Sequence, residues 1–185
     1  MSMFGDSLDT AVQKAFTRPI PKAAGAQVRY LVKQLKGTQA VAQALGISQR
    51  TVERYVKEQI RKPRKDLRAR LEREVKTRWQ PQVRAKARKT AATSDGIVID
   101  TYARIGYKAP INTTDEDRMR HLEVALPPRY AARLFDAQER GATDTELQEI
   151  TAEALKEVYF QDNGRRAGSL EEVHFTDVQS IRFGL

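Results

Sequence analysis

Two apolar sets of helical period, Val41-Ala42-Leu45 and Val52-Tyr55-Val56, are separated by only Gly46-Ile47-Ser48. A break that short leaves the chain little freedom, because two helices joined by it must meet at a sharp angle and share one core. Gly46 supplies a turn conformation that other residues resist, and Ala42 is small where the helices cross. Ser48 is placed as an N-cap, its hydroxyl taking a free backbone N–H of the helix that follows. The pattern predicts helices over 38–45 and from 49 to about 60, bounded by Pro63.

Neighbouring segments read the same way. Phe4, Leu8, Val12 and Phe16 form one stripe of a helix ended by Pro19 and Pro21; Val28, Leu31, Val32 and Leu35 form another, with Gly37 as its stop. Leu67, Leu71, Val75 and Trp79 mark a further helix over 66–79.

Charge divides the chain. The 185 residues carry 33 Lys and Arg against 24 Asp and Glu, a net of +9; residues 1–90 hold +15 of it and residues 91–185 hold −6. The densest run, 61–89, has 13 basic and 3 acidic residues. Such a run lacks the interspersed acids of a neutral solvated face, so phosphates are its expected partner. Gly37 to Tyr55 resembles the helix-turn-helix of bacterial DNA-binding proteins. In that arrangement the second helix enters the major groove with its N-terminal residues toward base edges. Gln49, Arg50 and Arg54 are then the base readers, Arg pairing with guanine and Gln with adenine, while Ser48 and Lys57 suit phosphates. Glu53 is placed to hold Arg50 or Arg54, and Arg61, Lys62, Arg64 and Lys65 extend the contact along the backbone.

The second half has a different texture. Residues 82–96 are basic and rich in small side chains, and read as a linker. Residues 96–100 and 120–126 read as strands, 128–140 and 144–160 as helices, the latter opened by a Thr143/Glu146 reciprocal cap, and 173–175 and 180–183 as short closing strands. The expected architecture is mainly α with a small α+β C-terminal part: a helical DNA-binding domain over 1–81 with the helix-turn-helix at 38–60, a basic linker over 82–96, and a smaller α+β domain over 97–185. The order of strand 120–126 and two helices resembles a ribbon-helix-helix and suggests self-association.

Several chemistries are excluded. No Cys is present, so there is no disulfide, thiolate metal cluster or Cys nucleophile, and two His, His121 and His174, cannot build a His-rich metal site. Both lie on strand-like stretches and read as structural. No nucleophile elbow, Gly-rich phosphate loop or polymerase palm is evident, so an enzyme is not expected. The start lacks a basic region followed by an apolar run, and the longest uncharged stretch, Gly37 to Gln49, is 13 residues, short of the roughly 20 that span a bilayer. A cytoplasmic, nucleoid-associated protein with no membrane partner is the expectation.

Across essentially its whole length the chain resembles the telomere terminal proteins of linear Streptomyces replicons. The likeness is carried by Tyr30 to Gly37, Val41 to Val56, Trp79 to Val83, Thr113 to Arg118 and Gly168 to Glu172. The resemblance implies a protein primer: a Thr hydroxyl accepts a deoxynucleotide whose 3′-OH a DNA polymerase extends, leaving the protein linked to the 5′ end. It carries the attachment residue to Thr114. Thr113 is the second candidate, and Thr113-x-x-Glu116 also fits a helix capping box that would leave the Thr114 hydroxyl free at a helix N-terminus. Asp115 and Asp117 are placed to assist metal or proton transfer, Tyr102 and Tyr107 are competing acceptors, and Tyr55 and Tyr159 read as core. No metal site or cofactor of its own is implied; Mg²⁺ and deoxynucleotide come with the polymerase. The implied partners are telomeric DNA, that polymerase and a telomere-associated helper protein. The alternative is a helix-turn-helix regulator or replication initiator with a dimerisation domain; a nucleoid packaging protein would explain the basic half alone.

Overall fold

Apolar residues spaced four apart in the sequence become buried helix faces in the computed structural model, which describes residues 2–108, 115–163, 165 and 170–185. The elements run α1 (Met3–Lys14), α2 (Ala24–Leu35), α3 (Thr38–Leu45), α4 (Gln49–Val56), α5 (Lys65–Arg78), α6 (Pro81–Thr90), β1 (Ile97–Lys108), β2 (Asp115–Leu126), α7 (Pro128–Glu139), α8 (Asp144–Leu155) and β3 (Glu172–Gly184). The architecture is mainly helical with one three-stranded antiparallel sheet. Two units emerge, residues 17–81 and residues 1–16 with 82–185. No helix among the described residues is long and apolar enough to cross a membrane.

In the helical unit, Val28 and Leu31 of α2, Val41 and Leu45 of α3, Val52 and Tyr55 of α4, and Leu67, Leu71 and Val75 of α5 form one buried cluster. Trp79 closes it, its ring 4.6 Å from Tyr30 and its indole N–H donating to the Arg18 carbonyl at 3.0 Å. One stop differs from expectation. Lys36, with φ 58°, takes the left-handed position that ends α2, and Gly37 is extended ahead of α3.

In the second unit the sheet order is β2-β1-β3. Ile99 of the central strand stands opposite Val124 on one side and Phe183 on the other, and Thr101 opposite Leu122 and Ile181. This face is buried against α1, α7 and α8. The strands are much longer than the expected 96–100, 120–126, 173–175 and 180–183. Charged residues such as Arg104 and Arg118 interrupt the apolar pattern, but cross-strand pairing carries the ladder past them.

Two further expectations are corrected. Residues 82–96 are not a linker: Pro81–Thr90 is helix and Ala91–Asp95 a π-helical continuation, because the small residues are largely alanines, the strongest helix formers. Arg84 pairs with Asp9 at 2.9 Å, and Arg88 bonds Glu139 at 2.6 Å and Gln138 at 2.9 Å while lying over the Phe135 ring. And α1 belongs with the sheet rather than with the helical unit. Leu8, Ala11 and Val12 are fully buried there, and the Phe4 ring stands 6.2 Å from Phe175.

The start of α1 is held by Asp144, whose carboxylate accepts from the Ser2 hydroxyl at 2.6 Å and from the Met3 and Gly5 N–H groups at 2.5 and 3.2 Å. Burial pushes this acid up, but the hydrogen bonds from Ser2, Gly5, Met3 and Phe4 outweigh it and hold it below the usual carboxylate range. A carboxyl lowered on folding stabilises at pH values above its unfolded pKa, and the contribution is lost as pH falls through the folded one. Asp144→Asn should therefore cost about 1 kcal/mol at pH 7, with the gap to the wild type closing as pH drops below about 4. Urea unfolding at both pH values checks this; a gap that does not change with pH would contradict it.

Candidate nucleic-acid interface

The turn between α3 and α4 is built as the sequence demands. Gly46 is left-handed, with φ 62° and ψ 42°. The Ile47 N–H reaches back to the Ala42 carbonyl at 3.0 Å, and the Ser48 hydroxyl accepts from the Thr51 N–H at 3.2 Å. Ser48 thus caps α4 and shares a further hydrogen bond with Thr51 Oγ1 at 2.8 Å. With Val52 and Tyr55 buried, α4 turns its other side outward: Gln49, Arg50 and Arg54 are exposed, as are Lys57, Arg61, Lys62, Arg64 and Lys65 beyond it.

Glu53 holds Gln49 and neither arginine. The Gln49 amide donates to Glu53 at 3.2 Å and to Thr38 Oγ1 at 3.0 Å, fixing it against the start of α3. Among the described residues the side chains of Arg50 and Arg54 enter no ion pair or hydrogen bond, and neither do those of Lys57, Arg61, Lys62, Arg64 and Lys65. Cations left unpaired on a fixed helix face are available to an incoming polyanion at little cost in broken contacts.

Below α4 lies a concavity of about 510 Å³ whose polar lining is Thr51, Arg54, Lys62, Arg64 and Arg70, with Asp66 the one acid. Arg70 is the residue that sequence reasoning missed. Its guanidinium approaches the open side of Gly46, 2.8 Å from where a Cβ would stand. Burial raises the Tyr55 hydroxyl above its ordinary value against the pull of Arg54 and Arg64, consistent with its place in the core. The helical unit holds 17 basic and 5 acidic residues, a net of +12, and the rest of the chain −3. The basic run 61–89 is not uniform, however: Arg68 pairs with Glu72 and Arg78 with Glu74, and Arg84 and Arg88 are bound inside the sheet unit.

The candidate priming segment is only partly in view. Thr113 and Thr114 lie outside the described residues. Asp115 opens β2 opposite Tyr107, so a strand and not a helix begins there. The capping box expected of Thr113 with Glu116 and the helix N-terminus expected at Thr114 lie outside the described residues; from Asp115 onward, where the signature predicts that a helix continues, pairing with β1 makes a strand. Asp117 accepts from His174 Nε2 at 3.1 Å and from the Thr176 hydroxyl. His121 is bonded to Asp100 at 2.9 Å. Of the competing phenols, Tyr107 packs on Phe160, whereas Tyr102 is 46% exposed; Tyr159, read as core, is 45% exposed. Among the described residues no cluster of three His, Asp or Glu could hold a metal ion.

No protein-family model, curated protein or solved structure matches this chain.

The free guanidinium groups on α4 make a direct prediction. Arg50→Ala with Arg54→Ala should cost about 1–3 kcal/mol for each lost base contact on the chain's own site, and less on random duplex. Titration of both duplexes at several salt concentrations checks it; equal loss on the two would contradict base reading, and a shallow salt slope would contradict phosphate contact.

Proposed function

We propose that this chain binds DNA through α4 and serves as a protein primer of the telomere terminal protein kind, its Thr hydroxyl becoming linked to the 5′ end of linear DNA. The observation that carries the DNA-binding part is the exposed face of α4, where Arg50 and Arg54 stand unpaired on a unit of net charge +12. The priming part rests on the resemblance in sequence, with Thr114 the acceptor and Thr113 the second candidate.

The chemistry asks little of the chain itself. The Thr oxygen attacks the α-phosphorus of a deoxynucleoside triphosphate, the bond to the bridging oxygen breaks, pyrophosphate leaves with the electron pair, and the hydroxyl proton passes to a nearby base. Mg²⁺ supplied with the polymerase neutralises the developing charge. In this reading the chain is a substrate of the polymerase rather than an enzyme. Telomeric DNA, the polymerase and a helper protein are its partners, and its place is at replicon ends in the nucleoid. The other reading, a regulator or replication initiator that binds DNA without becoming linked to it, draws on the same α4 face.

Incubation of the full chain with labelled deoxynucleotide, telomeric DNA and a polymerase-containing extract of the producing cells separates them. A labelled protein whose label is released by alkali is expected, since a Thr phosphodiester can eliminate, and Thr114→Val should lower the yield. An alkali-stable label points to Tyr102 or another phenol, and an unlabelled protein that still binds DNA leaves the regulator.

A further inference from the structure

We propose that Thr176 is a second acceptor hydroxyl for nucleotidyl transfer, prepared by a carboxylate that reaches to it across the sheet; the proposal rests on the primer reading above. Asp117 is on β2 and Thr176 on β3, with β1 between them. A side chain can cross a central strand only where that strand has nothing in the way, and the residue there is Gly106. A Cβ at Gly106 would overlap the Asp117 carboxylate and lie 3.0 Å from His174 Nε2. The glycine is thus the gap through which the carboxylate passes.

Backbone irregularities converge on the same place. The β1–β2 ladder shifts register between Ile105 and Tyr107, and the β1–β3 ladder between Arg104 and Ile105. Arg104 pairs with Asp177 and Ile105 with Phe175, so Thr176 is the extra residue of a bulge. Bulges re-aim side chains, and this one leaves Thr176 exposed with its hydroxyl donating to Asp117 Oδ2. His174 Nε2 holds the other oxygen, Oδ1, at 3.1 Å, and the Arg104 guanidinium donates to the Asp117 carbonyl at 2.9 Å. The carboxylate is thus held at both oxygens, one of them on the hydroxyl proton, while Arg104 ties down the backbone that carries it. It also lies at the end of the sheet where β1 leaves for, and β2 returns from, residues 109–114, which contain Thr113 and Thr114.

A hydroxyl whose proton already points at a held carboxylate is the arrangement that phosphoryl transfer uses to remove that proton as the new bond forms. Thr176 Oγ1 bonds to the α-phosphorus of a deoxynucleoside triphosphate, the α–β bridging bond breaks, pyrophosphate departs with the electron pair, and the proton moves to Asp117. The divalent cation arrives with the polymerase.

The test uses the full chain carrying Thr113→Val and Thr114→Val, labelled deoxynucleotide, telomeric DNA and the same extract, with tandem mass spectrometry to place the adduct. A nucleotide remnant on Thr176 is expected. It should vanish in Thr176→Val, persist in Thr176→Ser, and fall about 10²-fold in Asp117→Asn. Gly106→Ala, which displaces the carboxylate while leaving all three polar side chains in the sequence, should lower it similarly; circular dichroism shows whether each variant is folded. If the wild type is labelled and the double variant is not, the inference fails and the primer reading stands. If Asp117→Asn lowers only the melting temperature and not the labelling, Asp117 is a structural lock and the inference fails. If the wild type itself takes no label, both fall.

Discussion

The orientation of α4 depends on one backbone conformation, the left-handed Gly46, and on the hydroxyl of Ser48 two residues later. Together they end one helix and begin the next within three residues, so Val41, Ala42 and Leu45 must bury against Val52 and Tyr55. Once those five side chains point inward, α4 has no choice about which residues face out. Gln49, Arg50 and Arg54 are presented because their neighbours are buried, and Gln49 is further braced by Thr38 and Glu53. The site is thus a consequence of the core, with unpaired arginines left where nothing else in the described structure claims them.

That part of the molecule was legible in the sequence because every signal in it is local: a glycine, a cap and two apolar stripes of helical period. The same holds for the reciprocal cap of Thr143 and Glu146 that opens α8. Legibility ended where partners are far apart in the chain. Arg84 and Arg88 read as phosphate ligands because they stand in a basic run, yet Asp9, Gln138 and Glu139 claim them. The stripe of α1 was plain, but nothing near it said that Phe4 would meet Phe175 and Phe183. Residues 115–126, which the local signature Thr113-x-x-Glu116 marks as the start of a helix, form a strand because their pairing is with β1.

The cluster of Asp117, His174 and Thr176 is the extreme case. Its members are 57 and 59 residues from Asp117 in the sequence, and only the gap at Gly106 lets them meet. A glycine inside a strand was the one local hint, and it acquires meaning only when three strands are placed side by side. The division of charge gains similar content from the fold: +12 is concentrated in the unit that carries α4, while the sheet unit is near neutral at −3.

Under the primer proposal this chain is carried on DNA ends by a phosphodiester to threonine. The most direct measurement is to isolate the protein with DNA from the producing cells, digest the DNA with nuclease, and weigh the peptides covering residues 109–118 and 172–184. A deoxynucleoside monophosphate remnant on a threonine is the predicted result. Peptides of unmodified mass throughout, with the protein released from DNA by detergent alone, would contradict it and leave a module that reads DNA without joining it.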